Sequence, residues 1–75
     1  MKKQDKLLIL LKDHGWEQSE PPEGVPYRFR IYEYYKDAAY ADCYYALGRV
    51  DTLGVTYRRF WVQKEGPYYA AYIEF

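Results

Sequence analysis

Side chains capable of covalent or metal chemistry are few: one cysteine, Cys43, one histidine, His14, and one serine, Ser19. A metal site needs several convergent His, Cys or carboxylate ligands at workable spacing. Two such residues far apart in the chain do not supply it, so neither a metal nor a cofactor is expected. Ser19 sits among acids and prolines, without a G-x-S-x-G turn or a phosphate-cradling glycine loop. Cys43 falls on the apolar phase of an alternating run, the place of a buried, reduced thiol. His14 ends a helical pattern, where its interaction with the helix dipole accounts for it. Among carboxylates, Glu33 alone takes the inward phase of a strand. A register shift or pairing with Arg58 explains it more simply than acid–base catalysis. No catalytic set is expected, and the chain reads as a non-enzyme.

What the sequence offers instead is tyrosine, eleven times in 75 residues, with two tryptophans. Eleven basic and eleven acidic residues cancel, which removes the net attraction that dominates nonspecific binding to nucleic acid. A chain of this length makes one domain, 1–75, and buries only about 60 to 65% of its unfolded surface. One cysteine permits no internal disulfide, which fits a reducing compartment. The apolar run Leu7 to Leu11 is shorter than the roughly 7 to 15 residues of a secretory core or the ~20 of a membrane span. A cytoplasmic location without membrane attachment is therefore expected.

The elements that must position the tyrosines follow from periodicity. Leu7, Leu8, Leu10 and Leu11 keep helical spacing within residues 4–14, Gly15 stands where a left-handed C-cap is expected, and Trp16 should fold back on the last turn. Residues 17–26 hold three prolines, a glycine and three acids and read as an exposed loop. Four strands are expected, at 27–35, 39–47, 55–63 and 68–75, each alternating in side-chain phase. The second is ambiguous, since its alanines also permit a helix. Between the last two, Lys64-Glu65-Gly66-Pro67 signals a hairpin. The predicted fold is α+β, an N-terminal amphipathic helix packed on a four-stranded, curved antiparallel sheet in the order α-β-β-β-β.

If each strand turns its aliphatic phase to the helix, the core contains Phe29, Ile31, Cys43, Leu47, Phe60, Val62, Ile73 and Phe75. The other face collects Tyr32, Tyr34, Tyr40, Tyr44, Tyr57, Trp61, Tyr68 and Tyr72 beside Arg28, Arg30 and Arg59. Eight half-exposed aromatics present on the order of 600 to 800 Å². That is at or above the ~300 to 600 Å² of a monomer's largest apolar patch and near one partner's share of a standard interface. Tyr, Trp and Arg are also the residues that dominate interface energetics. One helix about 10 Å wide and 17 Å long cannot cover four strands. Either the sheet curls until the rings shield one another, or a partner covers them.

The stretch Lys-Leu-Leu-Ile-Leu-Leu-Lys-Asp-His-Gly-Trp-Glu at 6–17 resembles the opening of the small HicA-type toxins and covers roughly the first quarter of the chain. That resemblance implies a double-stranded-RNA-binding-like fold. The catalytic glycine, serine, histidine stretch of those toxins is missing, since Tyr27 to Tyr35 contains no histidine, and ribonuclease activity is not implied. In size and character the chain is similar to phage-encoded inhibitors such as anti-CRISPR proteins. The expected function is a protein-binding inhibitor or regulator. Single-stranded nucleic acid, stacked on the rings and held by the arginines, is the alternative ligand. Self-association through the tyrosine face or the C-terminal strand is a third expectation.

Overall fold

The computed structural model describes residues 2–75. Helix α1 spans Lys3–Asp13, strand β1 Glu17–Ser19, strand β2 Arg28–Glu33, helix α2 Lys36–Asp51, strand β3 Arg59–Glu65 and strand β4 Tyr68–Glu74. The class is α+β, with a curved, unclosed antiparallel sheet of four strands in the order β1-β2-β4-β3.

Helix α1 ends as its glycine requires. Gly15 has φ +87°, the Gly15 amide donates to the Lys12 carbonyl and the Trp16 amide to the Leu11 carbonyl. This is the paired bonding of a Schellman cap. It folds Trp16 into the core, where it is buried with Leu7 and Leu11.

The segment 39–47, expected as a strand, is the middle of helix α2. Its buried residues are Ala39, Cys43, Ala46 and Val50, a spacing of four and three that only a helix places on one stripe. Alanine is also the strongest helix former. Cys43 and Leu47 thus reach the core from a helix rather than a sheet. The element order is α-β-β-α-β-β, and α2 supplies the cover that one short helix could not.

Strand β1 corrects the expected 17–26 loop, whose first residues pair with β2 at Glu17↔Arg30, Gln18↔Phe29 and Ser19↔Arg28. Strand β4 lies inside the sheet, hydrogen-bonded to β2 on one side and β3 on the other. The C-terminal strand therefore has no free edge for pairing with a second copy, and the open edges belong to β1 and β3.

Both helices lie on one face of the sheet. There Phe29, Ala71 and Ile73 join Leu7, Leu11, Cys43 and Val50 in a single buried cluster, with Ile31, Leu47, Phe60 and Val62 packed against it. Phe75 closes the cluster edge-on to Phe29, ring centres 5.9 Å apart. The two-residue turn Gly66-Pro67 has positive φ at Gly66 alone, +60°, which matches a type II′ hairpin. It sets the register Glu65↔Tyr68 and hence Arg59↔Glu74.

Ala41 is an exposed α2 residue, so Ala41→Val should lower stability by about 0.5 kcal/mol in urea unfolding, the ordinary cost of β-branching in a helix. A gain in stability would instead mark the segment as a strand.

Candidate functional site

Alternation along β2, β3 and β4 carries one set of side chains to the sheet face that the helices leave open. Across the register this face is built in rows: Ser19, Arg28, Glu74 and Arg59, then Glu17, Arg30, Tyr72 and Trp61, then Tyr32, Ala70 and Gln63, and last Tyr68 with Glu65.

The first two rows are closed by their own interactions. Glu74 is 2% exposed although it points away from the helices. A buried carboxylate requires partners, and Glu74 has two: Arg28 Nε donates to Oε2 at 3.0 Å and Arg59 Nε to Oε1 at 2.6 Å. Arg59, then Arg28, holds the Glu74 carboxyl below its ordinary pKa. The Arg59 guanidinium lies 4.4 Å from the centre of the Trp61 ring and that of Arg28 lies 5.7 Å from the rings of both Trp61 and Tyr72. Trp61 and Tyr72 stack at 4.9 Å and 12°. Arg30 is paired with Glu17 at 2.8 Å and covers the Tyr32 ring. Each arginine on this face thus carries a carboxylate and an aromatic neighbour.

The far end of the face differs. Tyr32, Tyr34 and Tyr68 touch in sequence, with ring centres 5.9 Å apart for Tyr32 and Tyr68 and 5.1 Å for Tyr34 and Tyr68. They remain 40%, 68% and 37% exposed. Tyr32, Tyr68 and Glu65 line an open recess of ≈ 520 Å³. The Glu65 carboxylate accepts from Tyr32 Oη at 3.2 Å on Oε1, and from Gln63 Nε2 at 2.6 Å and Tyr72 Oη at 2.5 Å on Oε2. Gln63 also receives the Trp61 indole N–H at 3.0 Å. These donors, the Tyr72 hydroxyl foremost, hold Glu65 below its usual carboxylate range. Burial raises the Tyr72 phenol in turn.

Of the residues expected on this face, Arg28, Arg30, Tyr32, Arg59, Trp61, Tyr68 and Tyr72 lie on it and Tyr34 flanks it. Tyr40, Tyr44 and Tyr57 do not. Tyr40 and Tyr44 belong to α2, and Tyr57 lies in the segment before β3. Tyr44 and Tyr57 both meet the edge of Phe60 on the helix-covered side, and Tyr40 stacks on Tyr44. Glu65, Glu74 and Gln63 complete the site without having been expected there. Their signal was the phase they share with Tyr68, Tyr72 and Trp61 once the hairpin turn fixes the register.

The reactive side chains are elsewhere. His14 Nδ1 donates to the Leu10 carbonyl at 2.8 Å, and its ring lies 5.2 Å from Tyr45. Cys43 is buried, and burial, with Asp42 beside it, pushes its thiol up to about 11. Among the described residues no group of three His, Cys, Asp or Glu side chains is placed to hold a metal ion, and no helix is long and apolar enough to cross a membrane. Glu33 does take the helix-facing phase, opposite Tyr69, but it meets Asp42 of α2 rather than Arg58. Burial, and then the Glu33 carboxylate, push Asp42 up to about 7. Asp42 Oδ2 is buried without a hydrogen-bond partner, so nothing at that oxygen compensates the charged form. A carboxyl raised in this way can serve acid–base chemistry, yet neither the recess at Tyr32 nor a second cleft, beside Leu7, Tyr27 and Val55, is lined by Asp42 or Glu33.

The carboxyl pair makes stability depend on pH. Asp42 titrates near 7 when folded and at 3.8 in its unperturbed state, so the folded chain binds more protons between those values and its stability falls as pH rises through them. Asp42→Asn should therefore gain stability over the parent at pH 8 and lose that advantage towards pH 4, read from thermal unfolding at each pH. An advantage that is constant with pH would contradict the raised titration of Asp42.

Comparison with known proteins finds no matching family model, no matching curated protein and no matching solved structure.

Proposed function

We propose that this chain is a non-enzymatic protein-binding module, a cytoplasmic inhibitor or regulator, which engages its partner through the tyrosine end of the open sheet face. The observation that carries this reading is the exposed trio Tyr32, Tyr34 and Tyr68 beside the Glu65 recess. Each ring offers large contact area, few rotatable bonds and a hydroxyl, the properties of residues that dominate interfaces. Ring-to-ring contact and the Tyr32–Glu65 hydrogen bond fix two of them before any partner arrives, which reduces the ordering cost of binding. Tyr35, 76% exposed, extends the patch towards α2.

The inner rows support this surface rather than form it. Their rings and arginines are already paired, and the Trp61–Tyr72 stack leaves Tyr72 only 7% exposed. Single-stranded nucleic acid ranks second for the same reason, because a phosphate would have to displace Glu74 or Glu17 from its arginine.

The test is capture of a partner followed by affinity measurement. Tyr34→Ala and Tyr68→Ala should each weaken binding about tenfold or more, whereas Tyr45→Ala, exposed on α2, should change it less than about twofold, as non-anchoring contacts do. Unchanged affinity in both Tyr34→Ala and Tyr68→Ala removes this surface from the account.

A further inference from the structure

The recess at the tyrosine end contains a carboxylate, Glu65, that has no ion-pair partner among the described residues and feels Arg30 only at longer range. Glu65 is partly buried and accepts three hydrogen bonds, all from neutral donors: two phenols and an amide. Among the described residues, the carboxylates that meet a cation within ion-pair distance are Glu74 and Glu17, and Glu65 is not one of them. A carboxylate at the edge of a recess otherwise lined by Tyr32 and Tyr68 is complementary to a cation: the carboxylate supplies charge and the rings supply apolar surface, with Arg30 already over the Tyr32 ring.

The two oxygens of Glu65 are not equivalent. Oε2 accepts two short bonds, at 2.6 Å and 2.5 Å, and is filled, whereas Oε1 accepts one long bond of 3.2 Å from Tyr32 and has capacity left. A guanidinium binds a carboxylate best as a fork on both oxygens, and here one of the two is occupied. An ammonium is a compact point charge that needs only one acceptor and can sit over a ring.

Building on the protein-binding reading, we propose that the recess formed by Tyr32, Tyr68 and Glu65 receives a lysine side chain of the partner protein. Its ammonium bonds Glu65 Oε1, and its methylene stem lies along the two rings, as long cationic side chains lie on apolar surface. A lysine at the centre of the contact thereby sets the partner's register, while Tyr34 and Tyr35 contribute area around it.

The experiment is an NMR titration of the isotope-labelled full chain with three capped tripeptides, glycine-X-glycine, where X is lysine, arginine or norleucine. The lysine peptide should shift the signals of Tyr32, Glu65 and Tyr68 with millimolar, salt-weakened affinity, the arginine peptide should bind several-fold less well, and norleucine should leave those signals still. Glu65→Gln should weaken the lysine peptide about tenfold. Because Glu65 also holds Tyr32 and Tyr72 in place, Tyr68→Leu serves as a second variant: it keeps the carboxylate and its donors, removes one ring face, and should cost about threefold or more. The proposal is overturned by norleucine binding as well as lysine, by arginine binding as tightly, by full affinity in either folded variant, or by no shift with about 20 mM lysine peptide, where contacts of this strength register. Partner binding that survives Glu65→Gln but is lost in Tyr34→Ala would leave the protein-binding reading standing and remove the lysine from it.

Discussion

A carboxylate on the middle strand of a sheet, facing away from the core and still shut off from water, dictates much of what surrounds it. Glu74 keeps its charge because Arg28 and Arg59 flank it in register from the strands on either side. Removal of either partner leaves part of a buried charge unmatched, a costly state. The arginines in turn lie against Trp61 and Tyr72, whose stack covers the next row. A polar and aromatic lattice of this kind does on the open face what apolar packing does under the helices: it fixes strand register and excludes water. Arg59 is largely exposed, so its contribution is more to geometry than to energy.

The lattice also separates support from recognition. At the Glu74 end Arg28, Arg30 and Arg59 are each paired with a carboxylate, and Tyr72 is covered. At the hairpin end three tyrosines remain accessible and Glu65 has no ion-pair partner among the described residues. On the covered face, α2 presents Ala39, Cys43 and Ala46 to the sheet, and such small side chains let a helix lie close to the strands. The result is a two-layer body with an ordered polar network on the outside of the sheet.

Much of this was legible in the sequence, and the failures have definite causes. The Gly15 cap, the inward fold of Trp16 and the β3–β4 hairpin followed from local rules, because each depends on residues a few positions apart. The phase of β4, with Tyr68 and Tyr72 on one side and Ile73 on the other, followed from alternation. Segment 39–47 failed because its alanines and tyrosines satisfy a period of two as well as a period of 3.6, and the decisive residue, Val50, lies beyond the stretch that seemed to alternate. That single misassignment placed Tyr40 and Tyr44 on the wrong side of the sheet. Tyr57 went astray with the start of β3, which begins at Arg59 rather than 55. Strand β1 has no local signal at all: three residues within a proline-rich stretch become a strand only because β2 offers an edge. The roles of Glu65 and Glu74 required register, which the Gly66-Pro67 turn encodes once its type is recognised. The Asp42–Glu33 contact joins a helix to a strand end, and no periodicity within either segment reports it.

Hydroxyl-radical footprinting of the aromatic rings, read by mass spectrometry on the parent chain and on Glu74→Gln, tests the division of the open face most directly. The account predicts rapid labelling of Tyr34 and Tyr68 in both proteins, protection of Tyr72 in the parent, and a clear rise at Tyr72 and Trp61 when Glu74 loses its charge. Labelling of Tyr72 in the parent as fast as Tyr34, or protection unchanged in Glu74→Gln, would contradict the claim that the ion-paired carboxylate holds this half of the sheet closed.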